Sequence, residues 1–430
     1  MALSAAWHAG RIPDLLTTAD GETIQVVHRG AWTHGLGPDF ADALLLFNDR
    51  ELRSGSVEMH LRTRGWFEHG HHLDPAYNAV ILHVVAQHDG TATRRADGRV
   101  APVVQISDLA PLSHPLLELD WNRIGGAVCA TRLVATDPRR VAAILQQLGD
   151  VRLSARSARI EAKLTDEPAG EVLWQGVLGG LGYSRNSAPM RVLAERVPIS
   201  GLERTLLTRP GHERHAIAQG LLLGAAGFLP LSPAEASLAQ LSPAQLGEIE
   251  RQWAERGGPW QADPMPSEQW DRARSRPANH PLSRLLAAAA LAVNAAAAGG
   301  ILTMARGVVE ALDPVTALRD LTASPVNGGI GEDRAIEILA SAVLPALLAV
   351  AAHTGDDGLA EAAASAWNLA PAPAANSVTK RAMQQVAGAV RLRGIGARGS
   401  QGLIHLDTVL CQPRRCFECP IARAELAVND

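Results

Sequence analysis

The stretch Ala43-Leu-Leu-Leu-Phe-Asn-Asp-Arg-Glu-Leu-Arg-Ser-Gly-Ser-Val-Glu-Met-His-Leu61 decides how the N-terminal part of this chain is read. Two apolar-rich runs, 43–47 and 56–61, flank the polar segment Asn48 to Gly55, whose Asn-Asp and Ser-Gly pairs suit a hairpin connection. Side chains alternate between the faces of a strand, so Glu58 and His60 share one face of the second run. Upstream, Gly37-Pro-Asp39 stands at the entrance to the first run. Outward from this hairpin, 5–16 reads as a helix, Thr23-Ile-Gln-Val-Val-His28 as a half-buried strand, 66–78 as a polar covering segment, and Ala79-Val-Ile-Leu-His-Val-Val85 as a buried strand. The expected order is helix, three strands, covering segment and a further strand, αβββαβ.

From about Asp137 the pattern changes to alanine- and leucine-rich segments with helical periodicity, punctuated by Pro, Gly and Asp. Separate helices are expected over 139–148 and 154–164, and others over 170–181, 215–226, 243–255, 280–298, 336–352 and 380–392. The class is therefore α+β: a mixed α/β domain over 1–115, followed by a larger all-α region divided into 116–270 and 271–430. A chain of 430 residues has ample length for two or three separate cores. The most apolar run, 285–301, is mostly alanine and is interrupted by Asn294, which reads as a buried helix and not a membrane span. The opening MALSAAWHAGRIPDLL lacks the basic, apolar and small-residue sequence of an export signal, so a cytoplasmic location is expected. Forty basic against 44 acidic side chains give a net charge of −4, which supplies no global attraction to nucleic acid. Any such contact rests on local basic stretches.

The chemistry-bearing residues concentrate in the first 90. A divalent cation that polarises a phosphoryl oxygen needs hard oxygen ligands on a rigid element. Asp39 at a strand start opposite Glu58 in the adjacent strand supplies them. His60 then stands where an imidazole binds the metal, orients the attacking water or serves as base. Taken alone, Pro-Asp is a turn and Glu58 a solvated strand residue; the surroundings argue otherwise. Within 35 residues of Glu58 lie His28, His34, His60, His69, His71, His72, His83 and His88, about half of the chain's 15 histidines, together with Asp74. His69, His72 and Asp74 are candidates for metal or substrate contact. His83, alternating with apolar neighbours, reads as a core histidine or as one supporting a ligand. The same residue types suit Zn, Mn or Fe. Trp32, Trp66 and Tyr77 flank the region and read chiefly as core.

Cys411-Gln-Pro-Arg-Arg-Cys416-Phe-Glu-Cys419-Pro420 places three thiols at spacings x4 and x2, and Cys129 is the fourth cysteine of the chain. Four thiolates make one complete site, for a [4Fe-4S] cluster or a structural Zn. With Cys129 included, the metal pins the end of the chain to the junction after the first domain. Elsewhere, Arg152, Arg156 and Arg159 lie along one expected helix, and Arg272, Arg274 and Arg276 form a second basic group. Either set is a candidate for phosphate binding, with a solvated helix face the plainer reading.

The layout of Asp39 and Glu58 resembles the PD-(D/E)xK nuclease superfamily, in which a Pro-Asp pair precedes one strand and an acidic-x-Lys triplet occupies the next. The resemblance covers residues 1–90 and implies that Asp39 and Glu58 hold Mg or Mn; it departs at His60, where that superfamily has Lys. A metal clasp on such a domain is similar in device to helicase-nucleases and CRISPR-associated adaptation nucleases, in which an iron-sulfur cluster brackets the nuclease domain. There one cysteine precedes the nuclease motifs, whereas Cys129 follows them. Over nearly the full length, Gly37-Pro-Asp-Phe40, Gly55-Ser-Val-Glu-Met-His60, His69-Gly-His-His72, Tyr77-Asn-Ala-Val-Ile-Leu-His-Val-Val85, Arg276-Pro-Ala-Asn-His-Pro281 and Cys416-Phe-Glu-Cys419 resemble a bacterial family catalogued as domain of unknown function 2851. The expectation is a metal-dependent, nuclease-like phosphodiesterase acting on nucleic acid. A His-rich zinc metallohydrolase and a non-catalytic nucleic-acid-binding or scaffold protein are the alternatives.

Overall fold

A computed structural model of the chain describes residues 2–8, 10, 12–33, 37–106, 128–272, 279–323, 329–413 and 415–428. The chain divides into two compact units, the first gathering Met1–Val141, Arg381–Arg391 and Leu406–Asp430, the second Ala142–Lys380 and Leu392–His405. The expected boundary at 115/116 lies outside the described residues, and 270/271 falls within the second unit. The architecture is α+β, with the strands in the first unit and a helical second unit.

The first unit begins with α1 (Ala2–His8), followed by β1 (Leu15–Thr17), β2 (Thr23–His28), β3 (Ala31–Trp32), β4 (Phe40–Phe47) and β5 (Glu51–Arg62). The helix is shorter than its apolar pattern suggests. Gly10 adopts φ +68 and Pro13 follows, a pairing that ends a helix and frees 15–17 to form an edge strand on β2. The hairpin between β4 and β5 is tighter than expected. Asn48 and Asp49 both take positive φ, the Arg50 N–H donates to the Phe47 carbonyl (3.0 Å), and pairing resumes at Glu51 opposite Phe47. Asn and Asp tolerate the left-handed region, so three connecting residues, Asn48 to Arg50, suffice where the sequence offered eight.

After β5 the chain forms α2 (Gly65–Glu68) and two 3-10 turns, His71–Leu73 and Pro75–Ala79, before entering β6 (Val80–Gln87). It continues through β7 (Thr93–Arg94), β8 (Val100–Ala101) and β9 (Val103–Gln105). The main sheet has the order β1-β2-β4-β5-β6-β9, antiparallel as far as β5 and parallel from β5 to β9, with β3 on β4. Parallel pairing of β5 and β6 requires a crossover, and residues 65–79 supply it while covering one face of the sheet.

The two faces have different chemistry, set by period-2 alternation. Val57 and Met59 of β5, with Leu82 and Val84 of β6, pack into an apolar core with Trp7, Ile24, Phe40 and Leu45. The intervening residues Glu58, His60 and His83 are almost fully shielded on the other face, at 6%, 7% and 0% exposure. Trp66, Val80 and Ala101 form a small apolar cluster beside them.

The first unit also holds α3 (Thr131–Thr136), and the residues expected as two helices around 139–164 belong to one element, α4 (Pro138–Lys163), most of which lies in the second unit. The alanine-rich helix Pro281–Ala297 is buried along nearly its whole length. Its apolar run breaks at 298–300, where the next helix, Ile301–Glu310, turns by 93°. Among the described residues, the helical stretch Glu332–Thr354 is long and apolar enough to cross a membrane by length and composition; most of it is buried in the folded chain.

Candidate metal centre

The geometry begins with register. Phe40 pairs with Val57 in the antiparallel β4–β5 ladder, so Asp39 falls opposite Glu58. The two residues latch reciprocally: the Asp39 backbone N–H donates to Glu58 Oε2 (2.8 Å), and the Met59 backbone N–H donates to Asp39 Oδ2 (3.1 Å). Burial and the neighbouring Glu58 carboxylate push the Asp39 carboxyl up to about 7. Two carboxyl groups held together away from water repel each other, and a cation between them removes that cost.

Parallel pairing places Glu58 beside His83 on β6, with His60 on the same face two residues along. His60 Nδ1 lies 2.9 Å from His83 Nε2, and His83 Nδ1 lies 2.7 Å from Thr93 Oγ1 on β7. Burial first, then the surrounding histidines, depress His60 to about 3; burial first, then His71, does the same to His83. Both rings are therefore neutral at physiological pH. When His83 donates to Thr93 and His60 donates to His83, the lone pair of His60 Nε2 is left facing outward from the strand. That is the tautomer a metal ligand needs, fixed by partners behind it.

The covering segment brings the remaining groups. His60 Nε2 lies 3.1 Å from His69 Nδ1 and 3.8 Å from Glu58 Oε1, and His71 Nε2 lies 3.3 Å from Glu58 Oε1. Donor atoms of His60, His69 and His71 all fall within 4.8 Å of one another. Donors about 2.0–2.1 Å from a zinc ion sit roughly 3.3 Å apart around a tetrahedron, which matches the shorter of these separations. His71 is stacked on Tyr77 (centroids 3.8 Å, 21°), and its ring edge meets Trp66. Although His71 Nε2 is close to Glu58, the angles do not make a hydrogen bond, so this buried nitrogen is left unsatisfied. A buried imidazole nitrogen without a hydrogen-bond partner, 3.3 Å from a carboxylate oxygen and on a ring grouped with two further histidines, fits a cation.

The arrangement keeps some sequence-derived residues together and separates others. Asp39, Glu58, His60, His69 and His83 converge. His72 instead packs its ring on Phe67 (4.8 Å), and Asp74 caps the second 3-10 turn by accepting from Ala76 N–H (2.9 Å). His71 and Thr93 were not singled out as site residues. His71 comes into place because Gly70 takes φ +76 and reverses the chain between His69 and His71, so two histidines of one short motif face the same point. The signal available was Gly between two histidines; spacing alone does not give the direction of the side chains. His34, Arg274 and Arg276 lie outside the described residues.

On α4, Arg152 Nε donates to Gln401 (2.9 Å), Arg156 Nη1 to the Ser341 carbonyl (3.0 Å) and Arg159 Nε to the Ala155 carbonyl (3.0 Å). Desolvation lowers Arg152 and brings Arg156 to about 10, a sign that these two guanidinium groups are partly occupied inside the second unit.

Residues 2–312 match the model of a family described as "Protein of unknown function (DUF2851)". The chain belongs to that family. The DUF2851 match contains every residue of the histidine and carboxylate site and also Cys129, whereas Cys411, Cys416 and Cys419 lie beyond its end. No curated protein and no solved structure matched the chain.

Proposed function

We propose that the first unit is a metal-dependent hydrolase of phosphodiesters, nuclease-like in layout, with its cation held by Glu58, His60, His69 and His71 and with Asp39 beside Glu58. The observation that carries this reading is the unsatisfied, buried His71 Nε2 set against Glu58 and the His60–His69 pair. A donor set this rich in imidazole suits Zn or Mn better than Mg, which prefers oxygen ligands and keeps its waters. Once bound, such a cation supplies Lewis-acid polarisation of a phosphoryl oxygen and a more acidic water. The chain's own residues do the rest. His83 and Thr93 hold His60 in one tautomer, Tyr77 fixes the His71 ring, and the Asp39–Glu58 latch orients the carboxylates. His69 is exposed, so it is the ligand of the set that a substrate reaches from solvent. Asp39 at the start of β4 and Glu58 on the antiparallel β5, with a crossover to the parallel β6 after them, resemble the acidic pair of a PD-(D/E)xK domain and support the phosphodiester class. Nucleic acid is the proposed substrate.

The test uses metal-free, full-length protein with Zn2+, Mn2+ or Mg2+ added singly. Labelled single- and double-stranded DNA, RNA and bis(p-nitrophenyl) phosphate are the substrates. Cation-dependent cleavage is expected, reduced at least about 100-fold in Glu58→Gln and His71→Ala. Protein that binds the cation yet cleaves none of these substrates overturns the reading.

A further inference from the structure

The cysteines form a second site, in the same unit and built from different segments. Cys129 lies just before α3, Cys411 ends a π-helical turn (Leu406–Cys411), Cys416 opens a 3-10 turn (Cys416–Glu418), and Cys419 is the N-cap of the helix Pro420–Leu426. All four line one cavity that is partly open to solvent; the other lining residues include Gln385, Leu406, Leu410 and Ile421. The inclusion of Cys129, for which the sequence offered only the arithmetic of four, is thus a matter of geometry.

Three observations point to what the cavity holds. First, its wall is apolar apart from the sulfurs and Gln385, so no alternative polar ligand competes for them. Second, donors aim at the sulfurs: Gln385 Nε2 donates to Cys129 Sγ (2.9 Å), and the backbone N–H groups of Ile421 and Ala422 bond to Cys419. Such N–H···S contacts stabilise thiolate and tune bound iron-sulfur centres. Third, the run closes on Cys419-Pro420, the Cys-Pro pair that ends the ligand runs of bacterial iron-sulfur proteins. Burial and the neighbouring thiols push Cys411 up to about 12 and Cys419, mainly by burial, up to about 11. Without metal Cys411 and Cys419 are therefore protonated, uncharged and compatible with an apolar wall; each gives its proton to solvent on ligation.

We propose that Cys129, Cys411, Cys416 and Cys419 ligate a [4Fe-4S] cluster that acts as a structural clasp on the first unit. The clasp role follows from chain topology. This unit is discontinuous, and each of its three segments reaches the cavity: Cys129 from 1–141, Gln385 and Val386 from 381–391, and the other cysteines from 406–430. Two backbone bonds already tie the first two segments, from Cys129 N–H to the Gln385 carbonyl (2.7 Å) and from Ala130 N–H to the Val386 carbonyl (3.2 Å). Glu425 ties in the third by accepting from the Arg132 and Leu133 N–H groups at 3.0 and 2.8 Å. The bonds from sulfur to iron close one loop of more than 250 residues, between Cys129 and Cys411, which ordinary contacts do only at an entropic cost.

Full-length protein purified without oxygen, or reconstituted with ferrous iron and sulfide, should be brown and contain about four irons and about four sulfides per chain. Cys416→Ser should lose most of the iron, and proteolysis should then cut preferentially in the first unit. Gln385→Leu, a milder change that spares the ligands, should keep the iron and shift the cluster to a more negative potential by removing one N–H···S bond. His71→Ala should leave the iron content unchanged, which separates this site from the histidine centre. Stoichiometric zinc with no iron, or wild-type protein that takes up neither iron nor sulfide on reconstitution, overturns the proposal. So does Cys416→Ser protein with full iron content.

Discussion

At the scale of single residues, the histidine centre depends on groups that touch no cation themselves. His83 and Thr93 stand behind His60, and such supporting partners are commonly worth about 10–100-fold in metal affinity. His83→Gln should weaken Zn2+ or Mn2+ binding by that factor in equilibrium dialysis, while an unaltered affinity removes the support role. Gly65 is a second such position: a Cβ there would stand 2.7 Å from His60 Cδ2. Gly65→Ala should displace the imidazole and cost about 1–3 kcal/mol of stability by urea unfolding, with metal affinity falling in parallel. Protonation gives a third expectation. His60 and His83, ordinarily at 6.5, are held at about 3, so their contribution to stability is complete above pH 6.5 and is lost as pH falls toward 3. Asp39, raised from 3.8 to about 7, acts oppositely, contributing fully below 3.8 and losing that contribution as pH rises to about 7. Two histidines against one carboxyl leave a net loss on acidification. The unfolding midpoint of metal-free protein should therefore drop between pH 6.5 and 5, with a shallower slope in His83→Gln; equal slopes contradict the burial argument. Glu58, His60 and His83 were legible because strand alternation fixes which side chains share a face. His71 was not, because the left-handed Gly70 before it redirects the chain.

At the scale of elements, β2, β4, β5 and β6 could be read from apolar runs, whereas β1, β3, β7, β8 and β9, each two or three residues long, carry no period to read. The reading of α4 as two helices failed at Gly149, which resembles a helix end. Its cause is packing: a Cβ on Gly149 would stand 2.0 Å from the Arg398 carbonyl oxygen, and one on Gly402 would stand 1.8 Å from that of Leu145. The two glycines let the backbones of α4 and the helix Gly396–His405 touch, and Asp150, bonded to Arg398 and Trp367, secures the crossing. Gly149→Ala, favourable in an isolated helix, should here destabilise by about 1–3 kcal/mol, read as a lower thermal midpoint. A gain in stability would show that the crossing is not tight. The β4–β5 turn offers the converse test. Asp49→Gly, at φ 55, should be neutral or stabilising and Asp49→Val should cost about 1–2 kcal/mol in urea unfolding, because β-branched residues are strained in that region.

At the scale of the whole molecule, a family member with two differently made candidate metal sites in one discontinuous unit emerges: an imidazole–carboxylate centre within the family match, and a four-thiol cavity that draws on all three segments of the unit. The concentration of histidines and the triplet of cysteines were visible in the sequence. The assembly of the first unit from three segments was not, since no local pattern records that 381–391 and 406–430 return to it. Metal preference should follow ligand softness, with the cysteines taking iron and the histidines zinc or manganese. The most direct measurement is an anomalous difference map from crystals of the full chain grown with Zn2+ or Mn2+. The account predicts a peak bounded by Glu58, His60, His69 and His71, lost in crystals of His71→Ala. A map with metal at the cysteines alone, and a featureless region between Glu58 and His71, would contradict it.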